Sequence, residues 1–373
     1  MSPGELKQQA TSLEATSQLD FSTNDYLGLS RHPVVQRAAI EAIEVHGVGR
    51  RGVSAPGQAS SLEETLELAI AQFESLPAAL ALQSGYAANI NLITSIADER
   101  SIFLYDVYAH PSLVDGGRLS EAECISFSHR DVDHLAQILR KVRRRSNARQ
   151  TVVIATDGVF GADGEIAPLP EVANLAESYE ATLIVDDAHA TGVLGKQGTG
   201  SPEHFGLVVG TWIKTGTMSK ALGAAGGFIA ASSDVIARVR DRGHSILYST
   251  GSPPATLAAS LEALEILRHD EDRRVRLREN TRFVRTALAE AGFRVGAAEA
   301  AIVPVFTGSG ELVARLSEWL HGHDLLVRTI APPRVSEQDA SIRLMMNSEH
   351  TSEDLESCIS TLRRAGESFG LLA

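Results

Sequence analysis

The residue of this sequence that most clearly indicates a chemical role is a lysine that directly follows a buried apolar strand pattern. Lys220 closes the run GTWIKTGTMSK (residues 210–220) and precedes the small residues ALGAAGG. Most lysines are solvated surface charges, and residue type alone allows that role here. In apolar surroundings, however, burial and a neighbouring cation lower the pKa of an amine and make it a Schiff-base nucleophile. Thr217 and Ser219 lie just before Lys220 and carry hydroxyls that can bind a phosphate.

A second polar cluster ends another predicted strand. Asp186 and His189 lie in ATLIVDDAH (residues 181–189), at the carboxyl end of the strand, the edge where open α/β sheets bind ligands. One interpretation is structural, with Asp186 or Asp187 capping the following turn and His189 a hydrogen-bonded core histidine. The other is a site. A buried carboxylate keeps a pyridine nitrogen protonated, which pyridoxal 5'-phosphate (PLP) needs as an electron sink, and the presence of Lys220 favours this interpretation.

Two further strand ends carry candidate ligands for such a cofactor. Ser84, Gly85 and Tyr86 occupy a predicted strand-to-helix turn in QSGYAANINL (residues 83–92). Free backbone N–H groups at such a turn bind anions, although an ordinary capped turn has the same pattern. His110 follows the next predicted strand, and its flat ring can stack on a cofactor ring or serve a structural role.

The candidate residues fall on a regular alternation of strands and helices. Apolar runs without polar alternation are typical of strands buried on both faces, and each run here is followed by a helical pattern. The order predicts an α/β protein with a mainly parallel, doubly wound sheet. The runs lie at residues 76–83, 101–106, 151–160, 181–189, 210–220 and 226–232.

The pattern changes after residue 255. A long charged helical stretch (residues 255–291) is followed by shorter strands and helices, which is typical of a small α+β domain. We therefore expect an N-terminal arm (residues 1–35), a large domain (36–260) and a small C-terminal domain with a linking helix (261–373).

Composition argues against several classes of partner. The 373 residues include 34 Lys and Arg against 47 Asp and Glu, and the net charge of −13 repels nucleic acid and anionic membranes. A secretory leader pattern and a long apolar run are both absent from the sequence, so we expect a soluble cytoplasmic protein. Cys124 and Cys358 lack partners at metal-ligand spacing, which predicts two buried, reduced thiols and no metal site.

Two motifs are misleading. GVGRRG (residues 47–52) matches the dinucleotide fingerprint G-x-G-x-x-G but follows a helical pattern, so we interpret it as a glycine-rich loop. HGHD (residues 321–324) has two close histidines without a third ligand, and we expect a helix end there.

Taken together, the motifs resemble those of the α-oxoamine synthases, which are fold-type I PLP enzymes. The resemblance runs from about Leu19 to the C-terminus. It implies a PLP-dependent decarboxylative condensation of a small amino acid with an acyl thioester to give an α-amino ketone. The motifs that carry it are LDFSTNDYLGLSRHP, SGYAAN, HPSLVDGGRLS, DGVFGADGEIAPLPE, VDDAHATGVLGKQGTG, TGTMSKALGAAGG, YSTGSPP and IRLMMNSEHT.

The resemblance assigns roles to individual residues. Lys220 corresponds to the lysine that forms the imine with PLP and removes the Cα proton of the amino acid. Asp186 matches the partner of the pyridinium nitrogen, His189 the donor to the phenolic oxygen and His110 the histidine stacked on the ring. The implied phosphate ligands are Ser84, Gly85, Tyr86 and Thr217, with Ser249 and Thr250 reaching the phosphate of the neighbouring subunit.

A substrate clamp and an assembly are also implied. Arg343 matches the arginine that binds the substrate carboxylate, helped by Asn24, and a planar guanidinium suits a bidentate carboxylate pair. Without the resemblance, Arg343 is better interpreted as a surface charge at a strand edge. The shared phosphate site implies a homodimer in which each active site needs both subunits.

The implied substrate is less defined than the reaction. The reaction that the resemblance implies first is the condensation of alanine with a pimeloyl thioester in biotin biosynthesis. The pimeloyl group is carried on coenzyme A or on an acyl carrier protein. One alternative is a natural-product or sphingoid-like pathway that uses a carrier-bound acyl group with serine, glycine or alanine. Another is a non-catalytic partner subunit that retains the fold.

Four positions depart from the usual family pattern. Ser61 stands where many members have His, Gly161 replaces a phosphate-binding serine, Ala190 replaces Gly or Ser, and Ala331 replaces an Arg common in the biotin pathway. We expect these departures to lie around the acyl tunnel and the phosphate, where they affect substrate identity more than reaction type.

Overall fold

A seven-stranded and a four-stranded sheet organise the chain. The computed structural model describes residues 18–50, 52, 60–145, 150–208 and 212–372. Its strands are β1 (Leu19–Phe21), β2 (Ala78–Leu82), β3 (Ile102–Asp106), β4 (Glu123–Phe127), β5 (Val152–Asp157), β6 (Thr182–Asp186), β7 (Ile213–Thr217), β8 (Gly227–Ala231), β9 (Ile302–Phe306), β10 (Leu325–Ile330) and β11 (Ser341–Met345).

Helices follow most of these strands. They are α1 (Pro33–His46), α2 (Ser61–Phe73), α3 (Gly85–Ile96), α4 (Pro111–Leu119), α5 (Val132–Arg145), α6 (Leu169–Ser178), α7 (Ser201–His204), α8 (Ser233–Arg242), α9 (His244–Tyr248), α10 (Pro254–His269), α11 (Glu271–Glu290), α12 (Gly310–His321) and α13 (Ser352–Phe369). Two short 3-10 helices span Leu29–Arg31 and Glu337–Asp339.

The large sheet has the predicted, mainly parallel character. Its order is β2-β8-β7-β6-β5-β3-β4, in which β8 runs antiparallel to both of its neighbours and the other pairs are parallel. Alternate residues of the central strand β5 point to opposite faces. Val152 and Ile154 pack in one apolar cluster, and Val153 and Ala155 pack in another. The uninterrupted apolar run therefore reflects a strand covered on both faces.

The small sheet joins distant parts of the chain. Its order is β1-β10-β11-β9, and β1 pairs in parallel with β10 through the register Leu19↔Leu325. The segment that we assigned to an N-terminal arm thus contributes an edge strand to the C-terminal sheet.

Helix α10 links the two sheets. It packs against α1 and α2, and a turn at Asp270, whose side chain accepts from the backbone N–H of Arg273, separates it from α11. The predicted helical stretch at residues 255–291 is therefore two helices. The boundary expected after residue 260 falls within the continuous helix α10, and the division into domains stays a prediction.

Other expectations meet mixed outcomes. The end of a helix at HGHD is confirmed, because α12 stops at His321. Sequence reasoning missed the edge strand β4, where Cys124 is partly exposed, so the expectation that both cysteines are buried is wrong for Cys124 and correct for Cys358. Within the described ranges, no helix has the length and apolar character needed to cross a bilayer.

Candidate active site

A cavity of about 490 Å³ lies at the carboxyl edge of the parallel strands. Its walls come from the loops after β3, β5, β6 and β7 and from strands β10 and β11 of the small sheet. Its volume is typical of a small-molecule site. Five of the predicted site residues line it, namely Asn24, His110, His189, Lys220 and Arg343.

Lys220 has the lowered basicity that a Schiff-base nucleophile requires. Burial lowers the pKa of its amine from 10.5 to about 8, and the positive charge of Arg343 acts in the same direction. The carboxylates of Asp186 and Asp157 oppose this shift but do not cancel it. A substantial fraction of the amine is therefore neutral near physiological pH.

Asp186 is buried, and both of its carboxylate oxygens accept hydrogen bonds. Oδ1 accepts from the backbone N–H of Ala188 at 3.0 Å, which is the turn cap of the structural interpretation. Oδ2 accepts from the side-chain amide of Asn89 at 2.6 Å. Asp186 thus caps a turn and also forms one end of a network of polar side chains that reaches the cavity.

Asn89 is the centre of that network. Its Nδ2 donates to Ser112 Oγ at 2.8 Å as well as to Asp186, and its Oδ1 accepts from Thr215 Oγ1 at 2.6 Å. Ser112 Oγ lies 2.7 Å from His110 Nδ1. A continuous chain of hydrogen bonds therefore joins His110 to Asp186. Sequence reasoning missed Asn89, although SGYAAN places this amide one helical turn after Gly85.

The neighbouring Asp187 has a different role. It is fully buried and lies 3.2 Å from Lys214 Nζ, which also contacts both carboxylate oxygens of Glu74 at 2.8 and 2.9 Å. Asp187 additionally accepts from the backbone N–H of Ser201. These contacts anchor the loop after β6, and it is Asp186 whose charge acts on the cavity residues Lys220 and His110.

His189 is held from the side away from the cavity. Its Nδ1 lies 2.6 Å from the hydroxyl of Tyr26, a residue with no exposed surface that sequence reasoning did not single out. Burial, followed by the charges of Lys220 and Arg343, lowers the pKa of His189 well below its usual value. The imidazole is therefore neutral.

Asp157 is a third residue that the sequence analysis missed. It ends β5, lines the cavity and accepts from the backbone N–H of His110 at 2.9 Å. Burial and the nearby Asp186 carboxylate raise the pKa of Asp157 well above its usual range. The useful signal was its position at a strand end within DGVFGADG.

Arg343 is not the surface charge that residue type suggests. Its guanidinium donates to the carbonyl oxygens of Gly161 and Thr329. Its buried Nε lacks a hydrogen-bond partner among the described residues. Burial lowers its pKa to about 10, so it remains a cation at neutral pH. A cation with a spare donor in a cavity suits a carboxylate.

The candidate phosphate ligands lie beside the cavity and outside its lining. The Ser84 hydroxyl caps α3 by accepting from the N–H of Ala87 at 3.0 Å. A Cβ built on Gly85 would lie 3.2 Å from Thr217 Cβ, so these two residues are neighbours. Thr217 Oγ1 lies 2.7 Å from Ser219 Oγ, and the Tyr86 ring meets the His110 ring edge-on with 6.5 Å between centroids.

Ser249 and Thr250 are not brought into the cavity of their own chain. Both residues are exposed, and the carbonyl oxygen of Thr250 accepts from Gln83 Nε2 at 3.2 Å. This contact keeps their segment next to the turn that contains Ser84. A role at the neighbouring subunit's phosphate stays a prediction.

The structure shows what surrounds the four positions that depart from the family pattern. The nearest atoms to a Cβ built on Gly161 all belong to His189, with Nε2 at 2.6 Å. Gly161 therefore lies against His189 and Arg343, and its expected role at the phosphate stays a prediction. Ala190 is fully buried, Ser61 begins α2, and Ala331 follows β10.

The arrangement fits PLP. Lys220 provides an amine of lowered pKa for the aldehyde, and Asp186 provides a buried carboxylate for a pyridinium nitrogen. The unpartnered Nε of Arg343 provides a donor for a substrate carboxylate. Among the residues that the structure describes, no group of three or more His, Cys, Asp and Glu side chains is placed to hold a metal ion.

Sequence relatives agree with this geometry. The 8-amino-7-oxononanoate synthase of Thermoanaerobacter pseudethanolicus is 37% identical over 354 residues, which cover 95% of this chain and 89% of the relative. The 8-amino-7-oxononanoate synthase 1 of Bacillus velezensis is 37% identical over 98% of this chain and 93% of its own length.

Solved structures share the fold. The serine palmitoyltransferase of Sphingomonas wittichii superposes with a TM-score of 0.89 at 27% identity and covers 94% of this chain and 88% of that chain. A high-resolution structure of SPT with a PLP internal aldimine gives the same TM-score at 28% identity and the same coverage. The 8-amino-7-oxononanoate synthase of Francisella tularensis, at 24% identity, shares the fold with a TM-score of 0.79 over 94% of this chain and 98% of that chain.

The family assignment follows from these matches and from the sheet order. The family described as aminotransferase class I and II matches residues 16–362. The expected fold, that of the fold-type I PLP transferases, is thereby confirmed. The chain belongs to the aminotransferase class I and II family and, within it, to the α-oxoamine synthases.

Proposed function

We propose that this chain is a PLP-dependent 8-amino-7-oxononanoate synthase. It condenses L-alanine with a pimeloyl thioester and releases carbon dioxide and the free thiol. The observation that carries the proposal is that Lys220, with a pKa of about 8, shares one cavity with the partly buried guanidinium of Arg343. A nucleophilic amine and a carboxylate-binding cation are the two groups that an amino-acid substrate of a PLP enzyme requires.

The positions of these residues support an assignment of the groups that would hold PLP. Lys220 would bind its aldehyde carbon, Asp186 its pyridine nitrogen and His189 its phenolic oxygen, and His110 would stack on its ring. PLP, when bound, supplies an electron sink for a carbanion at the Cα of the amino acid. The phosphate ligands are Ser84, Gly85, Tyr86 and Thr217.

The protein's own groups move the protons and position the substrate. Lys220 Nζ accepts the Cα proton, because lowered basicity keeps an amine unprotonated at working pH. Arg343 binds the amino-acid carboxylate through Nε and the adjacent Nη, with Asn24 beside it in the cavity wall. Asp157 accepts the hydrogen bond of the His110 backbone N–H and so fixes the backbone of His110.

The charge of the cavity entrance supports an anionic acyl donor. Arg118, Arg328 and Arg334 line the cavity and are exposed, in a chain whose net charge is −13. Coenzyme A, the phosphopantetheine of a carrier protein and the far carboxylate of a pimeloyl group all carry negative charge. The preference for pimeloyl over palmitoyl rests on relatives at 37% identity, against 27% and 28% for the serine palmitoyltransferases.

We also infer that two copies of the chain form a homodimer with shared active sites. Exposed apolar side chains on α1 and α2 and beside the Ser249 segment support this inference, because an exposed apolar face is typical of an interface. They are Val34, Ile40, Ile43, Val45, Leu68 and Tyr248. The cytoplasmic location expected from the sequence stays a prediction.

One assay tests the reaction. The purified protein is loaded with PLP and incubated with alanine, serine or glycine, each combined with pimeloyl or palmitoyl thioester, and released thiol and carbon dioxide are measured. We expect equal amounts of both products with alanine and pimeloyl thioester. Turnover only with serine and palmitoyl thioester assigns the chain to the sphingoid-like alternative. A protein that stays colourless with added PLP supports the non-catalytic alternative.

A further inference from the structure

Tyr26 and His189 form a buried hydrogen bond that the proposed reaction does not by itself require. The two rings come from distant parts of the chain, and the Tyr26 hydroxyl lies 2.6 Å from His189 Nδ1. Tyr26 has no exposed surface. Among the described residues, the hydroxyl of Tyr26 has no hydrogen-bond partner other than His189.

The direction of this hydrogen bond follows from the need to satisfy a buried hydroxyl. If Nδ1 carried the proton, it would donate to Tyr26, and the phenolic proton of this unexposed residue would lack an acceptor among the described residues. Burial of an unpaired donor is unfavourable, so the Tyr26 O–H donates to Nδ1. Burial also raises the pKa of Tyr26, which keeps this proton on the hydroxyl.

The other ring nitrogen must then carry the hydrogen. The imidazole is neutral because burial and the charges of Lys220 and Arg343 lower its pKa. A neutral imidazole has one N–H, and with Nδ1 accepting, that hydrogen is on Nε2. Nε2 lies on the side of Gly161, in the cavity wall, where a Cβ would approach it to 2.6 Å.

Tyr26 is itself positioned by the small sheet. Its carbonyl oxygen accepts from the N–H of Ser348 at 2.8 Å, and the Asn347 side-chain amide donates to the carbonyl of Asp25. Asn347 and Ser348 follow β11, the strand that carries Arg343. The same segment therefore places both the proposed carboxylate clamp and the residue behind His189.

We propose that Tyr26 is a positioning residue that fixes the Nε2–H tautomer of His189. Within the proposed function on which this role rests, the fixed tautomer presents a hydrogen-bond donor to the phenolic oxygen of PLP and never an acceptor. The rearranged tautomer, with the hydrogen on Nδ1, would place a lone pair against that oxygen.

The tautomer can be read in the full chain without PLP. NMR of protein labelled with ¹⁵N-histidine distinguishes a protonated from an unprotonated ring nitrogen, and loss of one signal pair in His189→Gln assigns His189. We expect protonated Nε2 and unprotonated Nδ1 in the wild type at neutral pH. A hydrogen on Nδ1, or a doubly protonated ring, overturns the proposal whether or not any variant folds.

Two tyrosine variants then test whether the Tyr26 hydroxyl fixes the tautomer of His189. Tyr26→Phe removes only the hydroxyl, and we expect the His189 nitrogen signals to shift toward a mixture of both tautomers. Tyr108→Phe is the matched control, since the Tyr108 hydroxyl also lies at the cavity wall but donates to Asp339 at 2.9 Å. Unchanged His189 signals in Tyr26→Phe, or an equal shift in Tyr108→Phe, overturn the proposal.

Kinetics separate this role from the proposed function. In PLP-loaded Tyr26→Phe we expect kcat to fall about ten- to a hundredfold, as for other groups that orient an imidazole, with a smaller change in the KM for alanine. An unchanged kcat contradicts the role of Tyr26. Absence of condensation in the wild type contradicts the proposed function, and the tautomer measurement remains valid in that case.

Discussion

Asp157 and Asp186 are register partners at the carboxyl ends of β5 and β6, so the protein buries two carboxyl groups side by side. Burial and the charge of Asp186 raise the pKa of Asp157 well above its usual range, which favours the protonated form of Asp157. Asp186 accepts hydrogen bonds from Asn89 and Ala188 at its two oxygens. Asp186 is therefore the acid of this pair that we propose to face a pyridinium nitrogen.

The lowered basicity of Lys220 predicts a characteristic pH dependence. Only the neutral amine attacks an aldehyde, and the neutral fraction grows as pH rises through the pKa of about 8. The rate at which PLP reacts with the PLP-free protein should therefore rise with pH and level off above about 8. An ordinary lysine would continue to gain reactivity up to its pKa of about 10.4.

Stopped-flow absorbance measures this rate. Lys220→Ala should abolish the visible absorption of the bound cofactor, and replacing the exposed Lys141 with Ala should leave the profile unchanged. A plateau reached only near the pKa of a solvated lysine would show that Lys220 is not the reacting amine.

Asn89→Ala should weaken PLP binding. The substitution removes the donor to Asp186 Oδ2 and the acceptor of the Thr215 hydroxyl and leaves these two buried atoms without those partners, which costs about 1 to 3 kcal/mol per group. Asn91→Ala is a matched control on the same helix, because Asn91 is equally buried but bonds to Ala87 and Ser245. Equilibrium titration with PLP should show a raised Kd for Asn89→Ala only. Equal Kd values for the two variants would remove Asn89 from the cofactor site.

Arg343→Ala should raise the apparent KM for the amino acid. Loss of a bidentate partner to a buried carboxylate costs about 2 to 5 kcal/mol. Arg285→Ala is the control, since Arg285 is likewise a partly buried guanidinium with an unpartnered Nε, but it donates to Ala300 and does not line the cavity. Steady-state kinetics with varied alanine checks the prediction. A comparable KM in both variants would place the carboxylate elsewhere.

A shared active site predicts complementation between inactive subunits. When Lys220→Ala and Thr250→Ala chains are co-expressed with different tags, the mixed dimer contains one site with an intact Lys220 and an intact Thr250 from the other chain. We expect this dimer to be more active than either parent variant. If Thr250 instead serves the phosphate of its own chain, no complete site forms and activity stays at the level of the Thr250→Ala parent.

The raised pKa of His129 predicts that the folded protein loses stability at alkaline pH. Burial opposes its charge, but hydrogen bonds to Asp106 and Asp163 at 2.9 and 3.0 Å raise its pKa to about 9. Since the folded pKa lies above the unfolded value of about 6.5, the stabilisation is complete below about pH 6.5 and is lost as pH rises through about 9.

Thermal unfolding of His129→Asn at several pH values checks this expectation. The Tm difference from the wild type should be large in mild acid and should shrink above about pH 9. His269→Asn, a change at an exposed histidine, should show no such trend. A Tm difference that is constant with pH would mean that His129 is not charged in the folded protein.

The order of the residues and the pattern of apolar runs were sufficient to predict the central sheet and many of the residues that line the cavity. Each parallel strand had to present its carboxyl end at one edge, so Asp186, His189, His110 and Lys220 could be placed near one another from the chain alone. Local patterns failed where a strand is half exposed, as in β4, and where a helical pattern is broken by a single turn, as at Asp270.

The tertiary structure alone decided which polar groups meet. Tyr26 lies 163 residues from His189, and Asn89 lies 97 residues from Asp186, yet each pair is joined by a hydrogen bond of 2.6 Å. The distance between such residues depends on how β1 joins the small sheet and how α3 packs on the large one, which no local spacing encodes. The same holds for basicity, because the pKa of Lys220 is set by burial and by charges from three other segments.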